Sequence, residues 1–200
     1  MDSPRPGPPG RLVLVRHGQT EWARAGRHTG LTDVPLAEEG EEQAARLAER
    51  LGGFGFALAL TSPLLRARRT AELAGVDAVV DPDLVEWDYG GYEGLTSSEV
   101  QARRGPGWTV FADGVVPGAT PGETLAQVAD RADRVLARVR PALRDGDVLL
   151  VGHGHALRVL TARYLGQDPG LGANLVLGPG SVSVLGVEHT VAVLSWNLVP

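Results

Sequence analysis

Apolar residues fall along this chain in short blocks separated by glycine- and proline-rich stretches. Leu12, Val13, Leu14 and Val15 form a run that predicts a strand buried on both faces, ending at Arg16-His17-Gly18. A loop rich in Gly and Thr follows to Leu36. Ala44, Leu47, Ala48 and Leu51 then recur at helical spacing behind an acidic first turn, Glu38 to Glu42, and Gly52-Gly53 stops that helix. Ala57 to Thr61 reads as a second buried strand. Ser62 as N-cap and Pro63 at the first helical position open a helix through about Leu73, and Val79-Val80 is a short third strand.

Between Asp81 and Gly118 the pattern is irregular, dense in glycine and aromatics, with one short helix near Ser97 to Arg103. Such a stretch between strong elements points to function. Thr120-Pro121-Gly122-Glu123 reads as a capping box before an apolar stripe of Leu125, Val128, Ala129, Ala132, Val135, Leu136 and Val139, which Pro141 ends. Asp147 to Gly152, the most hydrophobic strand, leads through His153-Gly154-His155 into a helix from Ala156 to Leu165. Two strands close the chain, Ser181 to Val187 and Thr190 to Trp196, and they offer a surface for a homodimer. Alternating strands and helices with buried strands predict a three-layer α/β/α sandwich around a mostly parallel sheet. Met1 to Gly10, with four prolines, reads as a disordered tail, and residues 11–200 as one domain.

Composition narrows the function. The absence of cysteine excludes a disulfide-built scaffold and a cysteine-ligated zinc or iron-sulfur site, and it suits a cytoplasmic location. With 19 basic against 24 acidic residues and a net charge of -5, nucleic acid is not the expected partner. No apolar run approaches the roughly 20 residues needed to cross a membrane. All 19 basic residues are arginine, a planar fork suited to bidentate contacts with phosphate or carboxylate, although a GC-rich genome would give the same bias.

In open α/β sheets the working site lies beyond the carboxyl ends of the strands. That rule brings Arg16-His17, Ser62 to Arg66 and His153 to His155 to one rim. Such a rim suits a phosphoryl group, because each opposite charge at about 4 Å and an effective dielectric near 20 contributes roughly 4 kcal/mol. His17 is the candidate nucleophile and the arginines the charge stabilisers. A proton donor to the leaving group is expected in Glu86-Trp87-Asp88-Tyr89-Gly90-Gly91-Tyr92-Glu93-Gly94, where Glu86, Asp88 and Glu93 are rivals.

Leu14-Val15-Arg16-His17-Gly18-Gln19-Thr20-Glu21-Trp22 resembles the signature of the histidine phosphatase superfamily, the phosphoglycerate-mutase-like fold. The resemblance continues through Thr29-Gly30-Leu31-Thr32-Asp33, Ser62-Pro63 with Arg66, Arg69 and Thr70, the Glu86 segment, Gly122-Glu123-Thr124, and Val151-Gly152-His153-Gly154-His155-Ala156-Leu157-Arg158. It implies a metal-independent, cofactor-free phosphomonoesterase acting on a small-molecule phosphate ester. His17 would be the phosphorylated nucleophile, Arg16, Arg66 and His153 the phosphate pocket, and Glu86 the general acid. Thr29, Gly30, Tyr89, Gly154, His155 and Arg158 would face the substrate. The branch it looks most like holds the sedoheptulose-bisphosphatase-like proteins and the actinobacterial broad-specificity acid phosphatases. Sugar phosphates or bisphosphates are therefore the expected substrates, with Arg158 or Arg104 gripping a far phosphate.

The departures bear on the alternatives. The bisphosphoglycerate-dependent mutases continue their glutamate loop with Gly-Leu-Asn-Lys, whereas this chain reads Gly94-Leu95-Thr96-Ser97 and has no lysine, which disfavours a mutase. Ala23 stands where many members carry an Asn. A non-catalytic phospholigand-binding module is the remaining alternative, and the retained nucleophile and acid argue against it. His153 and His155 have the spacing of a metal pair, but no carboxylate-histidine cluster accompanies them. His28 and His189 read as ordinary surface residues.

Overall fold

The computed structural model describes residues 10–199. Six strands form one mixed sheet in the order β3-β2-β4-β1-β5-β6, comprising β1 (Leu12–Arg16), β2 (Phe56–Thr61), β3 (Val79–Val80), β4 (Asp147–Gly152), β5 (Val182–Val187) and β6 (Val191–Leu198). The first four run parallel, and β5 and β6 are antiparallel additions at one side. The helices are α1 (Glu21–Arg24), α2 (Glu38–Leu51), α3 (Leu65–Leu73), α4 (Ser97–Arg104), α5 (Val110–Asp113), α6 (Leu125–Ala142) and α7 (Gly154–Tyr164).

Alternation along the central strands divides the core in two. Val13 and Val15 of β1 and Leu149 and Val151 of β4 pack against Leu47 and Leu51 of α2 and Ala67 and Ala71 of α3. Leu12, Leu14, Val148 and Leu150 point the other way, onto Val135, Leu136 and Val139 of α6 and Leu157 and Leu160 of α7. Because successive strand side chains face opposite sides, an unbroken apolar run is what a strand covered on both faces requires. The layers are those of the mostly parallel α/β/α sandwich predicted above.

Several boundaries differ from the sequence expectation. The α3 helix starts at Leu65, not behind a Ser62 cap, because the Leu65 amide is satisfied by Asp33 Oδ1 at 2.7 Å while, of the amides, Ser62 Oγ accepts only that of Leu64, ahead of the helix, at 3.3 Å. The capping box lies four residues later than expected, on Thr124 and Gln127. Thr120 and Glu123 are instead drawn to Asp88 and Arg131. Pro141 sits inside the last turn of α6, where the ladder bond it removes lies at the helix end and the helix stops one residue later, at Ala142. The β2 strand is only half-buried at its start, since β3 pairs with Leu60 and Thr61 alone. Of the expected tail, residues 1–9 lie outside the described residues. Gly10 belongs to the fold: its amide donates to the Leu143 carbonyl at 2.7 Å, and a Cβ there would sit 1.8 Å from the Gly146 carbonyl oxygen.

The irregular segment from Asp81 to Gly118 is held by one buried cation. Arg131 of α6, 5% exposed, forks onto Glu123 at 2.9 and 3.1 Å and donates to the Asp83 and Val85 carbonyls at 3.0 and 2.7 Å. Glu123 also accepts the Asp88 amide at 3.0 Å and, through its carbonyl, the Trp87 indole N–H at 2.7 Å. Glu86 is thus clamped from both sides in sequence. Arg131→Met removes one member of a buried pair and leaves the other without compensation, a change that costs about 3 kcal/mol. For a chain of this size, thermal unfolding should move down by about 6–12 °C. A shift below about 2 °C in a circular-dichroism melt would mean that the segment is held by other contacts.

Candidate active site

Parallel pairing sets Arg16 opposite Gly152 and Thr61 opposite Val151, so the three strands β1, β4 and β2 end at one level. The residues just past those ends are His17, His153 and Ser62. A cavity of about 210 Å³ opens there, lined by Arg16, His17, Thr29, Glu86, Tyr89, Gly154, His155 and Arg158, with Arg27, His28 and Ser97 among the further wall residues. Arg66 and His153 stand behind this lining.

His17 is 4% exposed, and its Nδ1 lies 2.7 Å from the Gly18 carbonyl oxygen. A carbonyl only accepts, so Nδ1 carries the proton and Nε2 is left bare in the neutral ring. Burial, then the charges of Arg66 and Arg16, push its pKa well below the ordinary 6.5. Burial also lowers His153 and His155 well below that value, with Arg66 the next cause for the first and Arg158 for the second.

The cations are held by main-chain oxygens. Arg16 Nη1 donates to the Leu177 carbonyl at 2.5 Å, while its Nε is buried with no partner among the described residues. Arg66, fully buried, donates to the carbonyls of Thr29, Gly30 and Thr32 at 3.1, 2.9 and 3.0 Å and through Nε to His153 Nδ1 at 3.2 Å. Burial lowers both guanidinium pKa values, and the negative charge of Glu86 opposes the shift.

The three acidic rivals separate by their partners. Glu86 accepts from the amides of Trp87, His155 and Ala156 at 2.8, 3.0 and 2.8 Å, which ties it to the first turn of α7, and it lines the cavity. Asp88 braces its own loop through the Gly90 and Gly122 amides and Thr120. Glu93 accepts from the Gly30 and Thr32 amides and so shapes the loop whose carbonyls receive Arg66. Neither Asp88 nor Glu93 faces the cavity.

Among the residues expected at the substrate, Thr29, Tyr89, Gly154, His155 and Arg158 line the cavity. The Tyr89 hydroxyl is hydrogen-bonded to His155 Nδ1, and burial keeps it a phenol by raising its pKa well above 10. Gly30 turns its amide to Glu93 and its carbonyl to Arg66, and it is not part of the wall. Arg158 donates to the Gly172 and Ala173 carbonyls at 2.7 and 2.9 Å and lies over the Phe111 ring. Arg104 is exposed on α4, away from the cavity.

His28 corrects the sequence reading. It is only 9% exposed, packs its ring 4.8 Å from Tyr89, and lines the cavity instead of the outer surface. Its place directly before Thr29-Gly30 was the available signal. Arg27, Ser97 and Leu177 carried none, since contacts across the fold bring them in. Among the described residues no group of three or more His, Cys, Asp or Glu is placed to hold a metal, and no helix is long and apolar enough to cross a membrane.

Residues 12–198 match the profile of the histidine phosphatase superfamily, branch 1. Over 188 residues the chain is 38% identical to an acid phosphatase of Mycobacterium tuberculosis, spanning 92% of this chain and 90% of that protein. It is 37% identical over 187 residues to the sedoheptulose 1,7-bisphosphatase of Saccharomyces cerevisiae, spanning 78% of this chain and 68% of that one. The solved structure of an open reading frame of Mycobacterium tuberculosis superposes with a TM-score of 0.90 at 36% identity, covering 95% of this chain and 98% of that chain.

The buried imidazoles make a stability prediction. Their folded pKa values lie below the unfolded one, so the unfolded chain binds more protons as pH falls. Their contribution is complete above about pH 6.5 and is lost below it. Urea unfolding should therefore show lower stability at pH 5 than at pH 7.5. A flat response across that window would mean that His17, His153 and His155 are charged in the folded protein.

Proposed function

The chain belongs to the histidine phosphatase superfamily and is a phosphatase; from that premise we propose that it is a metal-independent phosphomonoesterase of small phosphorylated metabolites, working through a phosphohistidine. The observation that supports this most is the bare Nε2 expected of a neutral His17 beside an Arg16 Nε that is buried without a partner among the described residues. An unsatisfied buried donor costs about 1–3 kcal/mol, which a phosphoryl oxygen relieves. Both residues line the same cavity, which draws the anion to the nucleophile.

In the first step His17 Nε2 attacks phosphorus, the bond to the leaving oxygen breaks, and Glu86 in its acid form gives that oxygen a proton. In the second, Glu86 takes a proton from water, the resulting hydroxide attacks phosphorus, and the P–N bond breaks. Arg16, Arg66 and His153 form the phosphate pocket and stabilise charge on the equatorial oxygens. The Gly154 amide, at the N-terminus of α7, adds a donor with the helix dipole behind it. Low imidazole basicity keeps His17 a competent nucleophile at mildly acidic pH.

Of the two arginines expected at the far end of the substrate, Arg158 is on the wall and Arg104 is not. Arg16 and Arg158 on the wall suit a sugar bisphosphate, and one relative spanning most of this chain is named a sedoheptulose 1,7-bisphosphatase.

Phosphate release from an aryl phosphate in excess chelator tests the chemistry. The intact protein should turn over and His17→Ala should lose at least about 10³-fold. Activity abolished by chelator, or retained by the variant, would overturn the reading. Arg158→Ala should raise KM for a sugar bisphosphate about tenfold more than for a monophosphate. Equal effects on the two substrates would remove the second-phosphate assignment.

A further inference from the structure

Ser62 has no role in the chemistry above, and it does not cap the helix that follows it. It is fully buried, and its amide donates to the Val151 carbonyl at 3.0 Å, which fixes it to the end of β4. Its Oγ lies 2.7 Å from His153 Nε2. On the opposite side of the ring, His153 Nδ1 receives Arg66 Nε at 3.2 Å. A guanidinium only donates, so Nδ1 must be the acceptor and the proton of the neutral ring must sit on Nε2. That Nε2–H points at Ser62 Oγ. Neutrality is favoured by burial and by the facing charges of Arg66, Arg16 and Arg131.

His17 and His153 therefore carry opposite tautomers. Their ring centroids are 5.1 Å apart. In His17 the proton faces Gly18 and the bare nitrogen is Nε2, whereas in His153 the bare nitrogen faces Arg66 and Nε2 is a donor. With its Nε2–H taken by Ser62 Oγ and its Nδ1 lone pair by Arg66, His153 turns no bare nitrogen toward the phosphoryl oxygens.

We propose that Ser62 is a positioning residue that, with Arg66, locks His153 as the Nε2–H tautomer and holds its ring in place beside His17 at the phosphate pocket. This rests on the phosphohistidine reading, and Ser62 itself touches no reacting atom. In its absence the ring loses its Nε2 anchor and is free to turn about its Cβ–Cγ bond.

The test is side-chain ¹⁵N NMR of the unliganded protein together with steady-state kinetics, for wild type, Ser62→Ala and Ser62→Thr. Wild-type His153 should show a protonated Nε2 and a bare Nδ1 at pH 7, and Ser62→Ala should lose that fixed signature. The same variant should lower kcat on an aryl phosphate about tenfold, the effect of one aligned hydrogen bond, with KM nearly unchanged. Ser62→Thr, which keeps the hydroxyl, should restore both readouts. A charged or Nδ1-protonated His153 in wild type overturns the proposal even if Ser62→Ala does not fold. So does an unchanged spectrum or an unchanged kcat in a folded Ser62→Ala. If wild type releases no phosphate, the phosphatase reading fails separately, and orthovanadate affinity replaces kcat, with an unchanged value overturning the proposal.

Discussion

Everything at the rim hangs from the register in which β1, β4 and β2 run side by side. Arg16 faces Gly152 and Thr61 faces Val151, so the residues that follow reach one level from three distant parts of the chain. A slip of one residue would turn Val13 and Val15 toward α6 and carry His17 away from His153. The apolar strands are therefore part of the site, because the two-sided burial that holds them in register also fixes the distances between imidazoles and cations.

A second constraint is electrostatic. Two imidazoles and two guanidiniums share a buried space, and each is settled by a partner of fixed polarity. Main-chain carbonyls hold Arg66 and Arg16, the first turn of α7 holds Glu86, and Gly18 and Arg66 set the protons of His17 and His153. Protonating the imidazoles would add positive charge beside the arginines, which burial and Coulomb repulsion both oppose. The arrangement favours a visiting dianion over any extra proton.

The elements with a strong repeating pattern were legible. The strands ending at Arg16 and Gly152, the stripe of α6 and the acidic opening of α2 are set by local spacing, and the rule that sites lie beyond parallel strand ends picked out the rim. What could not be read were the assignments made by long-range partners. Ser62 looked like a cap because Pro63 follows it, yet Asp33, 32 residues upstream of Leu65, satisfies the helix amide. Thr120-Pro121-Gly122-Glu123 matched a capping box, yet Arg131 and Asp88 drew its side chains away. His28 looked exposed because nothing nearby in sequence shows that Tyr89 and Trp108 enclose it.

The sequence by itself determined the layered fold, the residue types at the rim and the family resemblance, because periodicity and strand ends are local properties of the chain. Only the tertiary structure put Glu86, and not Asp88 or Glu93, on the cavity, placed Arg158 and not Arg104 there, and set the partners of the His17 and His153 ring nitrogens. Those outcomes depend on which donors and acceptors meet across the fold. The same carboxylate or imidazole is a brace or a working group according to which of its lone pairs the surrounding chain has already taken.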